Sequence, residues 1–208
     1  MCAIFGFTSP SLKKEQILPY FEKTKSRGPD DTRLEPAGSG MLGFHRLAIM
    51  GLHPEGMQPF HRGGDMAVCN GELYGFRPVK KALEAKGYVF ASDSDCEIIL
   101  PLWQEYGTEM FAGLDAEFAM IIYDSASDSL VAARDPIGIR PLFYGYLADG
   151  SIIFASEAKN LVGLCAHVFP FPPGHYYKDG KFVRYADLTT VTRYSDDDLD
   201  TVTKKIRE

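Results

Sequence analysis

Glu117–Asp124, with the sequence EFAMIIYD, is the stretch that decides the fold. Its central residues are apolar without a break, and Ser129–Asp135 repeats this pattern beyond the polar turn Ser125–Asp128. Two such runs joined by a short polar turn predict a β-hairpin. A sheet with one face in water would alternate apolar and polar residues, so continuous runs indicate a sheet covered on both faces.

Two more hairpins are predicted after a charged loop that follows the first hairpin. Leu142–Leu147 and Ser151–Ala155 form one pair of short strands, and His175–Lys178 with Phe182–Tyr185 forms the other. The loop Arg134–Pro141 is dense in charge, proline and glycine. We expect this loop to be a packed connector rather than part of a catalytic apparatus.

Three stretches carry helical signals. Leu12–Lys25 has apolar residues in helical register, and because Pro19 interrupts it we expect a kink or two short helices. Pro78–Gly87 suits a short helix with Val79 and Leu83 facing inward. A further helix is predicted behind Ser94–Glu97, whose end residues have the spacing of a capping box.

Composition excludes several classes of protein. The 208 residues suit one α/β or α+β domain, and a net charge of −6 without a basic stripe argues against nucleic-acid binding. Apolar stretches such as Ile98–Trp103 fall far short of the roughly 20 residues that span a bilayer, and no signal segment is recognisable. Four scattered cysteines disfavour a disulfide framework or a zinc site, so we expect a cytoplasmic protein.

Cys2 is a candidate nucleophile. Its thiol comes directly before the apolar run Ala3–Phe5, at the start of a predicted strand. If Met1 is removed, Cys2 also carries a free α-amine with a pKa of roughly 7.7 to 8.0, which can accept the proton of a thiol with a pKa of about 8.5. Judged on this stretch alone, an ordinary buried cysteine is the favoured interpretation.

Three further sites have both a structural and a functional interpretation. Arg46 lies in an apolar segment, where its charge needs either a structural carboxylate or the carboxylate of a substrate. Asn70-Gly71 is either a plain hairpin turn after the strand Met66–Cys69 or a pair of N–H donors for an oxyanion. Asp95 either complements a helix dipole or holds a substrate ammonium group.

Two segments nearer the chain ends, a polar turn and a short helix, depend on contacts with other parts of the protein. The turn Ser26–Asp31 is an ordinary loop unless the fold brings it close to Cys2. Ser195–Asp198 caps a helix with apolar residues at Leu199, Val202 and Ile206, and such a short helix needs a surface to pack on. We therefore expect the sequence to be cut within a longer protein.

Taken in order, these motifs resemble the glutaminase domain of asparagine synthetase, a class II glutamine amidotransferase of the N-terminal nucleophile hydrolase type. The likeness covers nearly the whole chain. The stretches that carry it are Cys2, Arg27–Asp30, Gly43–Ile49, Asn70–Tyr74, Ser94–Glu97, Arg134–Leu142 and Ser156–Lys159.

The resemblance implies an α+β fold, a four-layer αββα sandwich of two antiparallel sheets flanked by helices. It places the glutaminase domain at residues 1–190 and the start of a linker helix at 191–208, leading toward an ATP-dependent synthetase domain. No Ser-Gly-Gly-x-Asp-Ser loop for ATP occurs here, so we expect no cofactor in this chain and assign ATP and Mg²⁺ to the synthetase domain. The expected partners are L-glutamine, a synthetase domain in cis or in trans, and a second copy in a homodimer.

The same resemblance implies the roles of individual residues. Cys2 is the nucleophile that forms a glutamyl thioester, and its own amine is the general base. Asn70 and Gly71 hold the oxyanion, while Arg46 and Asp95 bind the α-carboxylate and the α-ammonium of glutamine. The remaining expected pocket residues are Leu47, Ile49, Met50 and Glu72.

Two rival functions stay open. The chain could be the glutaminase part of another amidotransferase, one that makes amino sugars or purine precursors, although Phe44–Ile49 and Ser94–Glu97 favour asparagine synthetase. It could also be a catalytically silent binding module, because retention of Met1 turns the α-amine of Cys2 into an amide that is no base. We expect removal of Met1 to switch activity on.

Overall fold

The computed structural model describes residues 1–191 and 193–207. Within them, twelve strands form two six-stranded sheets in which all paired neighbours run antiparallel. From edge to edge the first sheet contains β10 (Val168–Pro170), β8 (Phe143–Tyr146), β9 (Ile152–Ala155), β1 (Ala3–Thr8), β3 (Gly40–Arg46) and β2 (Asp31–Ala37). The second contains β12 (Lys181–Arg184), β11 (His175–Lys178), β7 (Ser129–Arg134), β6 (Ala116–Asp124), β5 (Asp65–Leu73) and β4 (Phe60–Arg62).

The helices are short. The α-helices are α1 (Lys14–Phe21), α2 (Phe76–Ala85), α3 (Ile99–Tyr106) and α4 (Leu199–Arg207). The 3₁₀ segments are Glu22–Arg27, Pro54–Gly56, Asp95–Ile98, Gly107–Gly113 and Ala158–Asn160. In the part of the chain described, no helix is long and apolar enough to cross a membrane.

Strand β6 shows why the central hairpin is apolar throughout. Phe118 and Met120 belong to the core beneath α2 and α3, whereas Ala119 and Ile121 belong to the core between the two sheets. All four side chains are fully buried. Both faces of this strand are therefore covered, and the predicted αββα sandwich is confirmed.

A third apolar cluster completes the layers on the outer face of the first sheet. Phe5 and Phe7 of β1 pack there beside Ile17 and Phe21 of α1. The ring of Phe21 also stacks on the buried imidazole of His45 in β3, with centroids 4.0 Å apart. Pro19 lies inside α1, and the 3₁₀ segment Glu22–Arg27 follows directly, so the predicted helical stretch consists of two short helical segments.

The sandwich brings three site-bearing strands to one end. Cys2 directly precedes β1, whose first residue Ala3 pairs with His45 in β3, and Arg46 follows at the end of β3. Asn70 lies on β5 of the second sheet, which contacts β1 and β3 across the core. Residues far apart in sequence thus meet at one opening between the sheets.

The prediction that a strand stops at Asn70 was wrong. Strand β5 continues to Leu73, and Asn70 and Gly71 pair with Ala119 and Phe118 of β6 instead of forming a hairpin turn. A side chain at Gly71 would place its Cβ 2.5 Å from the carbonyl oxygen of Glu117. Glycine is therefore required here by close approach between strands, and not by a turn.

Two helix predictions also need correction. Val79 of α2 is 36% exposed while Leu83 is buried, so only Leu83 faces inward. The capping box at Ser94 does not form, because the Glu97 carboxylate accepts the N–H groups of Ala91 and Ser92 instead. Pro101 is tolerated in the first turn of α3, where a missing N–H leaves no helical hydrogen bond unmade.

Candidate active site

A cavity of about 100 Å³ opens between the two sheets, where β3 ends and β5 passes. Every residue that the sequence analysis assigned to the site lines it: Cys2, Arg46, Leu47, Ile49, Met50, Asn70, Gly71, Glu72 and Asp95. The wall also contains residues that were not predicted, among them Gln58, Cys69, Cys96 and Arg140.

The thiol of Cys2 is half-buried at this cavity. Its Sγ accepts the N–H of Leu47 at 3.3 Å and lies 3.5 Å from the Leu47 carbonyl oxygen. Burial raises the pKa of the Cys2 thiol, although the Leu47 N–H bond and the positive charges of the amino terminus and Arg46 partly oppose this. The neutral thiol therefore dominates near neutral pH, and a reaction at this sulfur needs a base.

The Ser26–Asp31 turn does lie close to Cys2. Arg27 Nε donates to the Cys2 carbonyl oxygen at 3.1 Å, and its Nη1 pairs with Glu157 Oε1 at 2.8 Å. Two residues after Cys2, the N–H of Ile4 donates to the Ser156 hydroxyl at 2.9 Å. These contacts tie the backbone on either side of the thiol to neighbouring segments and hold Cys2 beside the cavity.

Arg46 supplies a buried positive charge. Its side chain donates to the carbonyl oxygens of Gly51 and His53, and the residue is only 7% exposed. Among residues 1–191 and 193–207, no carboxylate forms an ion pair with it, so two backbone carbonyls take the place of the structural carboxylate that was considered for Arg46. Because an unpaired buried charge is costly, the guanidinium suits an anionic ligand.

Asp95 supplies the opposite charge. Its residue is 5% exposed, and Oδ2 accepts the N–H of Leu73 at 2.7 Å. A carboxylate has room for more than one hydrogen bond, and Asp95 also faces the cavity. A cationic and an anionic group thus line the same small space.

Asn70 and Gly71 bring hydrogen-bond donors to it. Asn70 is 2% exposed, and its Nδ2 is buried without a partner in the described chain. Successive N–H groups of a strand alternate between its edges. The N–H of Gly71 therefore points to the same edge as those of Cys69 and Leu73, which donate to Gln58 and Asp95.

The charged loop Arg134–Pro141 forms a packed connector, as predicted. Asp135 accepts the backbone N–H groups of Ile137, Gly138, Ile139 and Arg140, which ties the loop into a compact unit. Arg140 leaves this unit to line the cavity, where it pairs with Glu117 and donates to the sulfur of Met1 at 2.7 Å. Met1 itself lines the cavity in this structure.

The residues that the sequence analysis missed are of two kinds. Gln58, Cys69 and Cys96 have no local signal, because a single glutamine or cysteine in an apolar segment is an ordinary core residue. Arg140 lies in a loop that was singled out for its charge but interpreted as structural. Among the described residues, no cluster of His, Cys, Asp and Glu could hold a metal ion.

Comparison with known proteins agrees with this geometry. Residues 1–176 match the sequence model of the glutamine amidotransferase domain. A probable glutamine-hydrolysing asparagine synthetase of Dictyostelium discoideum is 37% identical over 194 residues, which cover 89% of this chain and 35% of that protein. The asparagine synthetase of Sandersonia aurantiaca is 38% identical over 188 residues, covering 88% and 35%.

A solved structure shows the same architecture at low identity. The glutamine phosphoribosylpyrophosphate amidotransferase from B. subtilis superimposes with a TM-score of 0.72 at 20% identity, over 89% of this chain and 49% of that one. The chain spans about a third of the length of the curated relatives it matches. The family model that matches residues 1–176, together with these relatives, shows that the chain belongs to the class II glutamine amidotransferase domain family.

Proposed function

We propose that the cavity hydrolyses L-glutamine to L-glutamate and ammonia through a thioester on Cys2. The observation that carries the proposal is the convergence of four different groups on one space: a thiol, a buried cation, a buried anion and an amide nitrogen that has no partner among the described residues. Each group matches a different part of glutamine.

The two charged groups fix the amino-acid end of the substrate. The guanidinium of Arg46 binds the α-carboxylate, for which its planar fork is suited, and the carboxylate of Asp95 binds the α-ammonium. Leu47, Ile49, Met50 and Glu72 enclose the side chain. A zwitterion held at one end presents its amide carbon to the thiol in a fixed orientation, which lowers the entropic part of the barrier.

The reaction then needs one base and one oxyanion site. After Met1 is removed, the α-amine of Cys2 takes the thiol proton while Sγ forms a bond to the amide carbon. The negative charge that develops on the amide oxygen is stabilised by Asn70 Nδ2 and the Gly71 N–H. The proton passes to the leaving nitrogen, ammonia departs, and water cleaves the thioester to give glutamate.

The fate of the ammonia depends on the larger protein. Because the matched relatives are glutamine-hydrolysing asparagine synthetases about three times as long, we infer that ammonia passes to a synthetase domain, joined in cis beyond residue 190 or bound in trans. Two loops bordering the cavity expose Ile49, Leu52, Ile137 and Ile139, each at least half exposed. Exposed apolar side chains beside the cavity suit contact with the receiving domain. ATP and Mg²⁺ belong to that domain in this proposal.

Two further inferences concern the setting of the protein. All four cysteines are free, which supports the cytoplasmic location expected from the sequence. A homodimer stays a prediction, which light scattering of the purified chain at several concentrations tests.

The proposal is tested with a chain whose amino terminus is controlled. A leader that a site-specific protease removes directly before Cys2 gives the free amine, and the same protein with Met1 retained is the matched control. We expect the cleaved chain to release equal amounts of glutamate and ammonia from glutamine, and the Met1-bearing chain and Cys2→Ala to release neither. A cleaved, folded chain that produces no glutamate refutes the proposal and favours the silent binding module.

A further inference from the structure

Strand β4 begins at Phe60, so its pairing with β5 does not reach the proposed oxyanion donors Asn70 and Gly71. It pairs with β5 from Arg62↔Asp65 to Phe60↔Ala67, and the same register continued by two residues places Gln58 opposite Cys69. At that point the backbone ladder stops. The side chain of Gln58 takes its place, accepting the Cys69 N–H at 2.6 Å and donating to the Cys69 carbonyl oxygen at 3.2 Å.

This replacement decides which donor of β5 stays free. The N–H groups of Cys69, Gly71 and Leu73 point to one edge, and Gln58 and Asp95 take the first and the last. If β4 began earlier and kept the same register, its backbone would pair with β5 at Gly71 and take up the Gly71 N–H. In the described chain that N–H faces the cavity between two side-chain clamps.

The Gln58 clamp also acts on the neighbouring residue. The carbonyl of Cys69 and the nitrogen of Asn70 belong to the same peptide unit, so holding this carbonyl fixes the plane from which the Asn70 side chain projects. Gln58 and Asn70 are 5% and 2% exposed and line the same cavity. Both polar atoms of the Gln58 amide bond to the Cys69 backbone, which suits a positioning role better than substrate contact.

We propose that Gln58 is a positioning residue that holds Asn70 and Gly71 of β5 in the geometry of an oxyanion site. The inference rests on the proposed glutaminase function. It goes beyond that function by assigning the precision of the site to a residue that does not touch the reacting atoms.

Gln58→Met tests the inference in the chain with a free Cys2 amine, because methionine is similar in length and makes neither hydrogen bond. We expect kcat to fall roughly tenfold to a hundredfold, since small displacements of aligned groups have effects of this size, with KM for glutamine changed by no more than about twofold. Gln58→Glu keeps the acceptor for the Cys69 N–H but sets a carboxylate oxygen against the Cys69 carbonyl oxygen, so its kcat should also fall below that of the parent. It answers the same question if Gln58→Met does not fold.

Asn160→Ala is the matched control for a lost structural amide. Asn160 is 1% exposed, and its Nδ2 donates to Tyr20 and Phe21 carbonyl oxygens beneath α1, away from the cavity. We expect this variant to be less stable than the parent but to keep its kcat. A comparable kcat loss in Asn160→Ala would show that lowered stability alone explains the Gln58 result.

An aldehyde analogue of glutamine, L-glutamic γ-semialdehyde, tests the oxyanion site independently of the rest of the pocket. Cys2 Sγ adds to the aldehyde carbon, and the C=O π bond becomes a C–O single bond. The thiol proton passes to the α-amine of Cys2, and the negatively charged oxygen is held by Asn70 Nδ2 and the Gly71 N–H. Gln58→Met should weaken this inhibitor by about the factor that it lowers kcat. The inference is overturned if folded Gln58 variants equal the parent protein in kcat and in inhibitor affinity. If the parent turns over glutamine in that case, the glutaminase proposal still stands.

Discussion

Removal of the Asn70 amide should lower activity without lowering stability. In the free protein, Asn70 Nδ2 is buried and makes no hydrogen bond within the described chain. Asn70→Ala therefore removes no intramolecular hydrogen bond of this nitrogen, and the free energy of unfolding should change little. The same nitrogen is a proposed donor to the oxyanion, so its loss acts on the transition state.

The two effects can be estimated separately. Loss of one oxyanion donor typically lowers kcat by about 10² to 10³, or roughly 2.7 to 4 kcal/mol of transition-state stabilisation. Asn160→Ala removes the same type of side chain, but there Nδ2 has partners in Tyr20, Phe21 and Thr24. Leaving buried partners unsatisfied costs about 1 to 3 kcal/mol, so Asn160→Ala should be less stable than Asn70→Ala by about that amount.

The assay compares both variants with the parent chain, each prepared with a free Cys2 amine. Glutamate release gives kcat and KM, and urea unfolding gives the free energy of unfolding. The expected result is a crossed pattern, in which Asn70→Ala loses kcat and keeps its stability while Asn160→Ala does the opposite. An Asn70→Ala variant with unchanged kcat, or one destabilised as much as Asn160→Ala, would contradict the role given to Asn70.

Three further predictions follow from single contacts. Arg46→Leu should raise KM for glutamine at least tenfold, because it removes the cavity-lining charge proposed to bind the α-carboxylate. Arg46→Lys should recover only part of this loss, because lysine lacks the planar fork, and steady-state kinetics would measure both effects. Gly71→Ala should lower both the free energy of unfolding and kcat, because the new Cβ would lie 2.5 Å from the Glu117 carbonyl oxygen; urea unfolding that matches the parent would contradict the close approach. Burial lowers the pKa of His45, whose two ring nitrogens bond to Phe21 and Thr32. A lowered folded pKa means that its stabilising effect is present above the unfolded pKa of about 6.5 and is lost as pH falls below it. The free energy of unfolding should decrease between pH 7 and pH 5, and the decrease should be smaller in His45→Gln.

The fold could be predicted where the chain is buried on both sides. The β6–β7 hairpin is recognisable because helices cover one face and the other sheet covers the second, which leaves no polar positions in its centre. Strand β2 was missed because Asp31–Ala37 is largely polar, contains Pro36 and lies at a sheet edge. Its pairing with β3 comes from tertiary structure and not from its own pattern.

The site divides in a similar way. Cys2, Arg46 and Asn70 stand out in sequence because each is a reactive or polar residue beside an apolar strand, and the family resemblance orders them. Gln58 carries no such signal, because its importance lies in its register opposite Cys69 and in the start of β4 only at Phe60. Contacts set by strand register and by packing between sheets become visible only in the folded chain.

The most direct test of the central claim is the intact mass of the chain, quenched during turnover with glutamine after exposure of the Cys2 amine. The account predicts a transient glutamyl adduct that peptide mapping places on Cys2, with matching release of glutamate and ammonia. The adduct should be absent from Cys2→Ala and from the chain that retains Met1. Glutamine turnover that persists in Cys2→Ala, or a glutamyl group found on another residue, would contradict it.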